Sequence, residues 1–229
     1  LEQGHSVPAF GNPLDKDTPM TYARHIGLSA SEDRLEKLII ERLQPGADKE
    51  TIDSRIWDLF GEHWAIMFTD LAGFSSNVAS FGIIHFLQVI FESQRLLVPC
   101  INERDGILLK TEGDSMLVIF RNVTKAIECA LAMQAACRSY NVGREEAEQV
   151  RLCLGLGYGR VLRIGDRDVF GSEVNAAAKL GEDIAEAGEI LVTDAVRLLA
   201  APSLRFEAIE RIPSGAKAAH RLLNPVDER

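Results

Sequence analysis

Trp64-Ala65-Ile66-Met67-Phe68-Thr69-Asp70-Leu71-Ala72-Gly73-Phe74 is an apolar run that ends in a carboxylate and then a glycine. The apolar part reads as a buried strand, and the Asp-Leu-Ala-Gly end reads as a turn into a helix. A second run, Ile107-Leu108-Leu109-Lys110-Thr111-Glu112-Gly113-Asp114-Ser115-Met116-Leu117-Val118-Ile119-Phe120, reads as a hairpin with Gly113-Asp114 at its turn. If these strands are neighbours, Asp70 and Asp114 meet at one end of a sheet. Two anionic oxygen ligands beside helix N-terminal amides suit Mg²⁺ and phosphates. Taken singly, Asp70 reads equally well as a helix cap and Asp114 as a turn residue.

Working outward, residues 1–30 hold Pro8, Pro13 and Pro19 with scattered glycine and no period, an irregular arm. Leu35, Leu38, Ile39 and Leu43 recur at helical spacing up to Pro45-Gly46. Ile52, Ile56, Leu59 and Phe60 mark a second helix with Asp48 as its N-cap. These helices could pack on the downstream domain, or could form a dimer or signalling helix. From Trp64 the pattern predicts a strand over 64–69, helix across 75–101, hairpin strands at 106–110 and 115–120, and a helix over 122–140. A strand over 150–157 comes next, then a turn-rich piece to Gly171, a helix over 172–186 and a strand at Ile190-Leu191-Val192. A short helix and two weaker strands finish the chain. The order β-α-β-β-α-β is a ferredoxin-like α+β core with additional strands and helices, preceded by two amphipathic helices. The division expected is an arm at 1–30, a helical extension at 31–62 and a catalytic domain at 63–229.

Composition narrows the function classes. The 229 residues are 46% hydrophobic and 26% charged, as in an ordinary globular protein. A net charge of −9 argues against nonspecific binding to nucleic acid or anionic membrane. No stretch approaches a bilayer span and no signal peptide is visible. Cys100, Cys129, Cys137 and Cys153 lack CxxC spacing and sit in apolar stretches, which predicts reduced buried thiols and a cytoplasmic compartment. The first residue is Leu1, not Met, so a piece of a longer protein is expected. Gly155-Leu156-Gly157-Tyr158-Gly159 does not complete a dinucleotide fingerprint, and His5, His25, His63, His85 and His220 show no zinc spacing.

Three motifs stand in order: Phe68-Thr69-Asp70-Leu71-Ala72-Gly73-Phe74-Ser75, Lys110-Thr111-Glu112-Gly113-Asp114, and Asp168-Val169-Phe170-Gly171-Ser172-Glu173-Val174-Asn175. Together they resemble the class III nucleotidyl cyclase catalytic domain, of adenylyl type, over roughly residues 60–224. The resemblance implies conversion of ATP to 3′,5′-cyclic AMP and pyrophosphate in a head-to-tail homodimer. It implies two divalent ions per site, Mg²⁺ or Mn²⁺, held by Asp70 and Asp114 with Leu71 beside them. It implies phosphate binding by the amides of Ala72, Gly73 and Phe74, and purine recognition by Lys110 and Asp168. Asn175 matches the family asparagine that orients the ribose. Lys179 stands where the family has an arginine for the transition-state phosphates, keeping the charge but losing the planar fork. A solvated lysine before a helix stop at Gly181 is the plainer reading of Lys179. Lys217 falls in the region of a family lysine that contacts the triphosphate. The short stretch before Asp168 allows only a small dimerisation arm. The rival is a degenerate cyclase-homology module that binds nucleotide or only dimerises. A diguanylate cyclase would carry a Gly-Gly-Asp/Glu-Glu-Phe hairpin, which Glu112-Gly113-Asp114-Ser115-Met116 does not match.

Overall fold

The computed structural model describes residues 29–73 and 82–223. Two helices come first, α1 (Ala30–Arg42) and α2 (Lys49–Phe60). Ser29 caps α1 in a capping box: its Oγ accepts from the Glu32 amide at 3.2 Å, and Glu32 accepts from the Ser29 amide at 2.6 Å. Asp48 caps α2, as its position before the apolar stripe predicts, accepting from the Thr51 amide at 3.2 Å.

The α+β core continues as β1 (Gly61–Leu71), α3 (Ile83–Asn102), β2 (Ile107–Glu112), β3 (Ser115–Phe120), α4 (Val123–Asn141) and β4 (Leu152–Ile164). The described residues go on through β5 (Asp168–Phe170), α5 (Ser172–Ala178), a π-helical turn (Lys179–Ile184), β6 (Ile190–Thr193), α6 (Asp194–Leu199), β7 (Arg205–Ala208) and β8 (Ala219–Leu223). The sheet order is β2-β3-β1-β4-β6-β8-β7, and β5 pairs with β4. Its first four strands are the ferredoxin-like unit, with β1 antiparallel to both β3 and β4.

Period-two alternation along β1 sorts its side chains between two layers. Ala65 and Met67 pack with Met116, Val118, Leu154 and the apolar faces of α3 and α4. Trp64 and Ile66 face the other way, with Leu117, Ile119, Val161 and the α5 residues Val174 and Ala177. The four cysteines are buried free thiols, and burial pushes Cys129, Cys137 and Cys153 up to about 12, which keeps them protonated and inert. None of the described helices is long and apolar enough to cross a membrane.

Two expectations are corrected. The strand read as 150–157 runs on to Ile164, and the piece read as turn-rich is the β4–β5 hairpin, with Ile164 opposite Asp168. The Gly155-Leu156-Gly157-Tyr158-Gly159 run does not break the strand; alternation puts all three glycines on one face, where α5 lies on the backbone. A Cβ on Gly155 would sit 2.2 Å from the Ala177 carbonyl and 2.3 Å from the Gly181 nitrogen; one on Gly157 would sit 2.5 Å from the Glu173 carbonyl. The helix read over 172–186 does run on past Gly181. It widens there into the π turn, with Ala185 N–H donating to the Leu180 carbonyl at 2.8 Å.

The N-terminal helices pack on the core, the first of the arrangements open to them. Leu38, Ile52, Ile56 and Phe60 form one cluster with Ile164 of β4.

The helix-on-glycine contact gives a direct test. Gly155→Ala should cost at least about 2 kcal/mol, because backbone rather than a side-chain tip must give way. The melting temperature should fall by roughly 5 °C or more. An unchanged melting curve would mean that α5 does not lie on the strand.

Candidate active site

β1 and the β2–β3 hairpin bring Asp70 and Asp114 to one place. Thr69 pairs with Met116 across β1 and β3, so the last residues of β1 lie beside the hairpin turn. Gly113 takes φ 59 there, a conformation open to glycine, and Asp114 follows it in the turn. The Asp114 carboxyl comes within hydrogen-bonding reach of Asp70, and the Leu71 amide donates toward both. Ser115 Oγ donates to Asp70 Oδ1 at 3.3 Å. Burial, then the charge of Asp114, raise Asp70 to about 6; burial also raises Asp114.

This donor set fits a hard divalent cation. Two partly buried carboxylates face each other without a basic side chain among the groups that shift them; burial disfavours both charges, and the charge of Asp114 further disfavours that of Asp70. A cation bound by oxygen ligands removes that conflict. Leu71 itself is buried beside them.

The phosphate cradle differs from expectation. The Ala72 amide donates to the Arg151 carbonyl at 2.8 Å, extending the β1–β4 ladder, and is therefore spent. Gly73 follows at φ 85 and is exposed. Phe74 lies outside the described residues.

Lys110 and Asp168 are far apart in sequence, yet Lys110 Nζ stands 3.4 Å from Asp168 Oδ2. A β-bulge makes this possible. Leu108 pairs with Val118 but Lys110 with Leu117, leaving Leu109 as the extra residue. Regular pairing would put Lys110 opposite Met116, on the face closed by α3 and α4. The bulge turns it to the α5 face instead. Lys110 also reaches Glu112 at 3.1 Å; this hydrogen bond, then the Asp168 charge, hold the ammonium above its ordinary range against some desolvation.

Asn175 and Lys179 share the exposed face of α5 and the π turn. Lys179 Nζ pairs with Asp183 Oδ2 at 2.8 Å, one turn along. Lys217 is exposed in the segment before β8. Sequence reasoning missed Glu182, an exposed residue on the π turn whose carboxyl is nonetheless raised, chiefly by partial desolvation. Its signal was faint: an acid beside Gly181, itself packed on Gly155.

The family profile described as Adenylate and Guanylate cyclase catalytic domain matches residues 61–221. The chain belongs to that family, the class III nucleotidyl cyclase catalytic domains. It is 30% identical over 137 residues to the protein named Serine/threonine-protein kinase pkn2 of Myxococcus xanthus, a match covering 60% of this chain and 16% of that one. It is 32% identical over 103 residues to the protein named Putative adenylate cyclase 3 of Rhizobium meliloti (strain 1021), covering 45% and 17% respectively. The matched segments are thus about a sixth of each relative's length. The crystal structure of an Adenylate/Guanylate Cyclase/Hydrolase from Silicibacter pomeroyi superposes with a TM-score of 0.61 at 24% identity, covering 71% of this chain and 97% of that one. Adenylyl and guanylyl cyclase structures alike share this fold, so the fold leaves the purine undecided.

The carboxylate pair predicts a linked effect of pH. A folded-state value near 6, above the ordinary 3.8, makes the native state bind more protons between those limits. Asp70's contribution to stability is then complete below pH ~3.8 and is lost as pH rises through ~6. Without divalent ions, Asp70→Asn should therefore melt higher than wild type at pH 8 and nearly equally at pH 4. Melting curves in chelator at the two pH values check this; an Asp70→Asn protein less stable at pH 8 would contradict it.

Proposed function

We propose that the chain is an adenylate cyclase domain, making 3′,5′-cyclic AMP and pyrophosphate from ATP at a centre shared by two copies. The observation that carries this reading is the Lys110–Asp168 pair. It sets an obligate donor beside an acceptor, on one face, at the positions that match the adenine-reading pair of the family. A buried mismatch at such a pair leaves polar groups unsatisfied at about 1–3 kcal/mol each, enough to separate one purine from another.

In the reaction, the ribose 3′-oxygen loses its proton and bonds to the α-phosphorus. The bond from that phosphorus to the bridging oxygen breaks and pyrophosphate leaves. Asp70 and Asp114 would hold Mg²⁺ or Mn²⁺, which when bound favours the 3′-alkoxide and offsets triphosphate charge. Gly73 lets the backbone after β1 come close to phosphate oxygens. Lys110 donates to adenine N1 and Asp168 accepts from the 6-amino group. Asn175 orients the ribose, and Lys179 meets charge developing on the phosphates. Lys217 would contact the triphosphate. For this Lys179 must leave Asp183, and an exposed pair of that kind contributes no more than about 1 kcal/mol.

The sharing of the centre is supported by where these groups lie. Asp70 and Asp114 cluster at the end of β1, whereas Asn175 and Lys179 are exposed on α5 and the π turn, where another copy could meet them. A two-fold head-to-tail pair has two equivalent centres. The second reading, a degenerate module, is favoured by Lys179 alone.

Purified protein with Mn²⁺ should form cyclic AMP from ATP in preference to cyclic GMP from GTP. Lys110→Glu with Asp168→Cys should weaken ATP use at least 10-fold. No cyclic nucleotide from either substrate, in a protein shown to dimerise, would favour the module. A preference for GTP would overturn the adenine reading.

Sharing has a separate test. Asp70→Ala and Asn175→Ala chains, each inactive alone, should regain up to about a quarter of wild-type activity when mixed. Random pairing makes half the dimers mixed, each with one intact centre of two. Mixed dimers without activity would argue for a centre within one chain.

A further inference from the structure

The β4–β5 hairpin lies between two layers, and alternation divides its side chains between them. Val161 and Val169 pack with Trp64, Ile66 and Leu117 of the sheet. Leu162 and Ile164 turn the other way, into the cluster formed by Leu38, Ile52, Ile56 and Phe60 of the N-terminal helices. Asp168 stands directly opposite Ile164 in the antiparallel ladder. Residues opposite each other in such a ladder project from the same face, so Asp168 shares its face with the residue that the helices grip. Leu35 and Ile39 of α1 accordingly line one groove with Ile164, Asp168 and Phe170.

The helices hold the hairpin at three places. Ile164 is buried among them, although it belongs to β4. The hairpin turn sits on the start of α1: a Cβ on Gly165, which has φ 60, would come 3.2 Å from Ser29 Oγ. Arg160 of β4 lies over the Trp57 ring of α2, 4.6 Å from its centre, and donates to the Trp57 carbonyl at 3.4 Å. The Asp168 side chain is in turn tied to the hairpin backbone. Its Oδ1 accepts from the Val169 amide at 3.0 Å, while Oδ2 faces Lys110 Nζ at 3.4 Å. The carboxylate therefore goes where the hairpin goes.

We infer that α1 and α2 act as a purine-selectivity clamp, in which Ile164 is the positioning residue that holds Asp168 in place for the base. The inference rests on the reading of Lys110 and Asp168 as the adenine pair. A carboxylate fixed beside the 6-position of a purine accepts from the amino group of adenine. It opposes the 6-oxygen of guanine, which is itself an acceptor. Both effects need a fixed carboxylate. One free to swing away loses the hydrogen bond to adenine and relieves the repulsion of guanine. The ratio of ATP use to GTP use is therefore the quantity that the helices set, from outside the nucleotide site. A displacement of about 1 Å caused by a residue remote from the chemistry can change rates by roughly 100-fold.

The test compares kcat/KM for ATP and for GTP, with Mn²⁺, in wild type and variants whose folding is checked by melting curves. Ile164→Ala should lower the ATP-to-GTP ratio roughly 10-fold or more, with KM for ATP rising more than kcat falls. Amide hydrogen exchange should quicken in the β4–β5 hairpin of the same variant. Ile164→Val keeps the β-branched contact and should keep the ratio close to wild type. Leu35→Ala, on the helix side and ahead of the span that defines the family, should lower the ratio in the same direction. It is the second variant if Ile164→Ala does not fold. Ile127→Ala removes a side chain buried as deeply, on α4 in the other layer. It should melt lower by a similar amount and leave the ratio unchanged. A wild type that forms no cyclic nucleotide or prefers GTP, or a ratio unmoved by Lys110→Glu with Asp168→Cys, brings down the adenine reading and the clamp with it. Should that double variant move the ratio while folded Ile164→Ala and Leu35→Ala keep it, only the clamp falls. An equal fall of the ratio in Ile127→Ala would show general loosening and would likewise overturn the clamp.

Discussion

The contact on which most of the site depends is backbone against backbone, where α5 and the π turn rest on β4. Gly155 and Gly157 leave no Cβ to hold the helix off, and Gly181 returns the same allowance from the helix side. The close approach fixes the helix in height and rotation at once. It buries Val174, Ala176 and Ala177 against the sheet, and it leaves Asn175 and Lys179 facing out. The same contact carries Glu182 to the end of β1. Close packing transmits such constraints because interiors have little slack to absorb them. Glu173 pins the arrangement further, accepting from the Tyr158 amide at 3.1 Å and from Thr193 Oγ1 at 2.7 Å.

The carboxylate end of β1 works against the stability of the fold that builds it. Asp70, Asp114 and Glu182 are all held above their ordinary range, chiefly by desolvation. A protein selected for stability alone would separate them or supply a basic partner. Acids held together above their ordinary range, with Asp70 raised to about 6, are the kind of cluster that marks functional sites. The Lys110–Asp168 end is arranged oppositely. Lys110 is already matched by Asp168 at 3.4 Å and Glu112 at 3.1 Å, so its charge is satisfied within the chain.

The N-terminal helices bear on Asp168 through the β4–β5 hairpin. Ile164 belongs to their apolar cluster and pairs with Asp168 across the hairpin. Leu35, Ile39, Ile164, Arg167, Asp168 and Phe170 line one groove of about 690 Å³ between α1 and β5. The position of Asp168 thus depends on residues outside the span that the family profile covers, since Leu35 and Ile39 precede Gly61.

Sequence alone determined the elements whose signals are local. Apolar alternation marked β1 and β3, caps marked α1 and α2, and Gly113-Asp114 marked the hairpin turn, because each depends on neighbours a few residues away. Chain order then made the ferredoxin-like core legible, and the three motifs made the family legible. The bulge at Leu109, the extension of β4 to Ile164 and the π turn at Gly181 were not legible, and each is decided by a distant partner. Lys110 needs β3 to turn it, the end of β4 needs β5 to pair with, and Gly181 needs the bare backbone of Gly155. The Ala72 amide was misread for the same reason, since only the sheet shows that Arg151 already takes its proton. Residue types set which chemistry is available at each position, while directions, pairings and the company each carboxylate keeps arise only when strands far apart in sequence lie side by side.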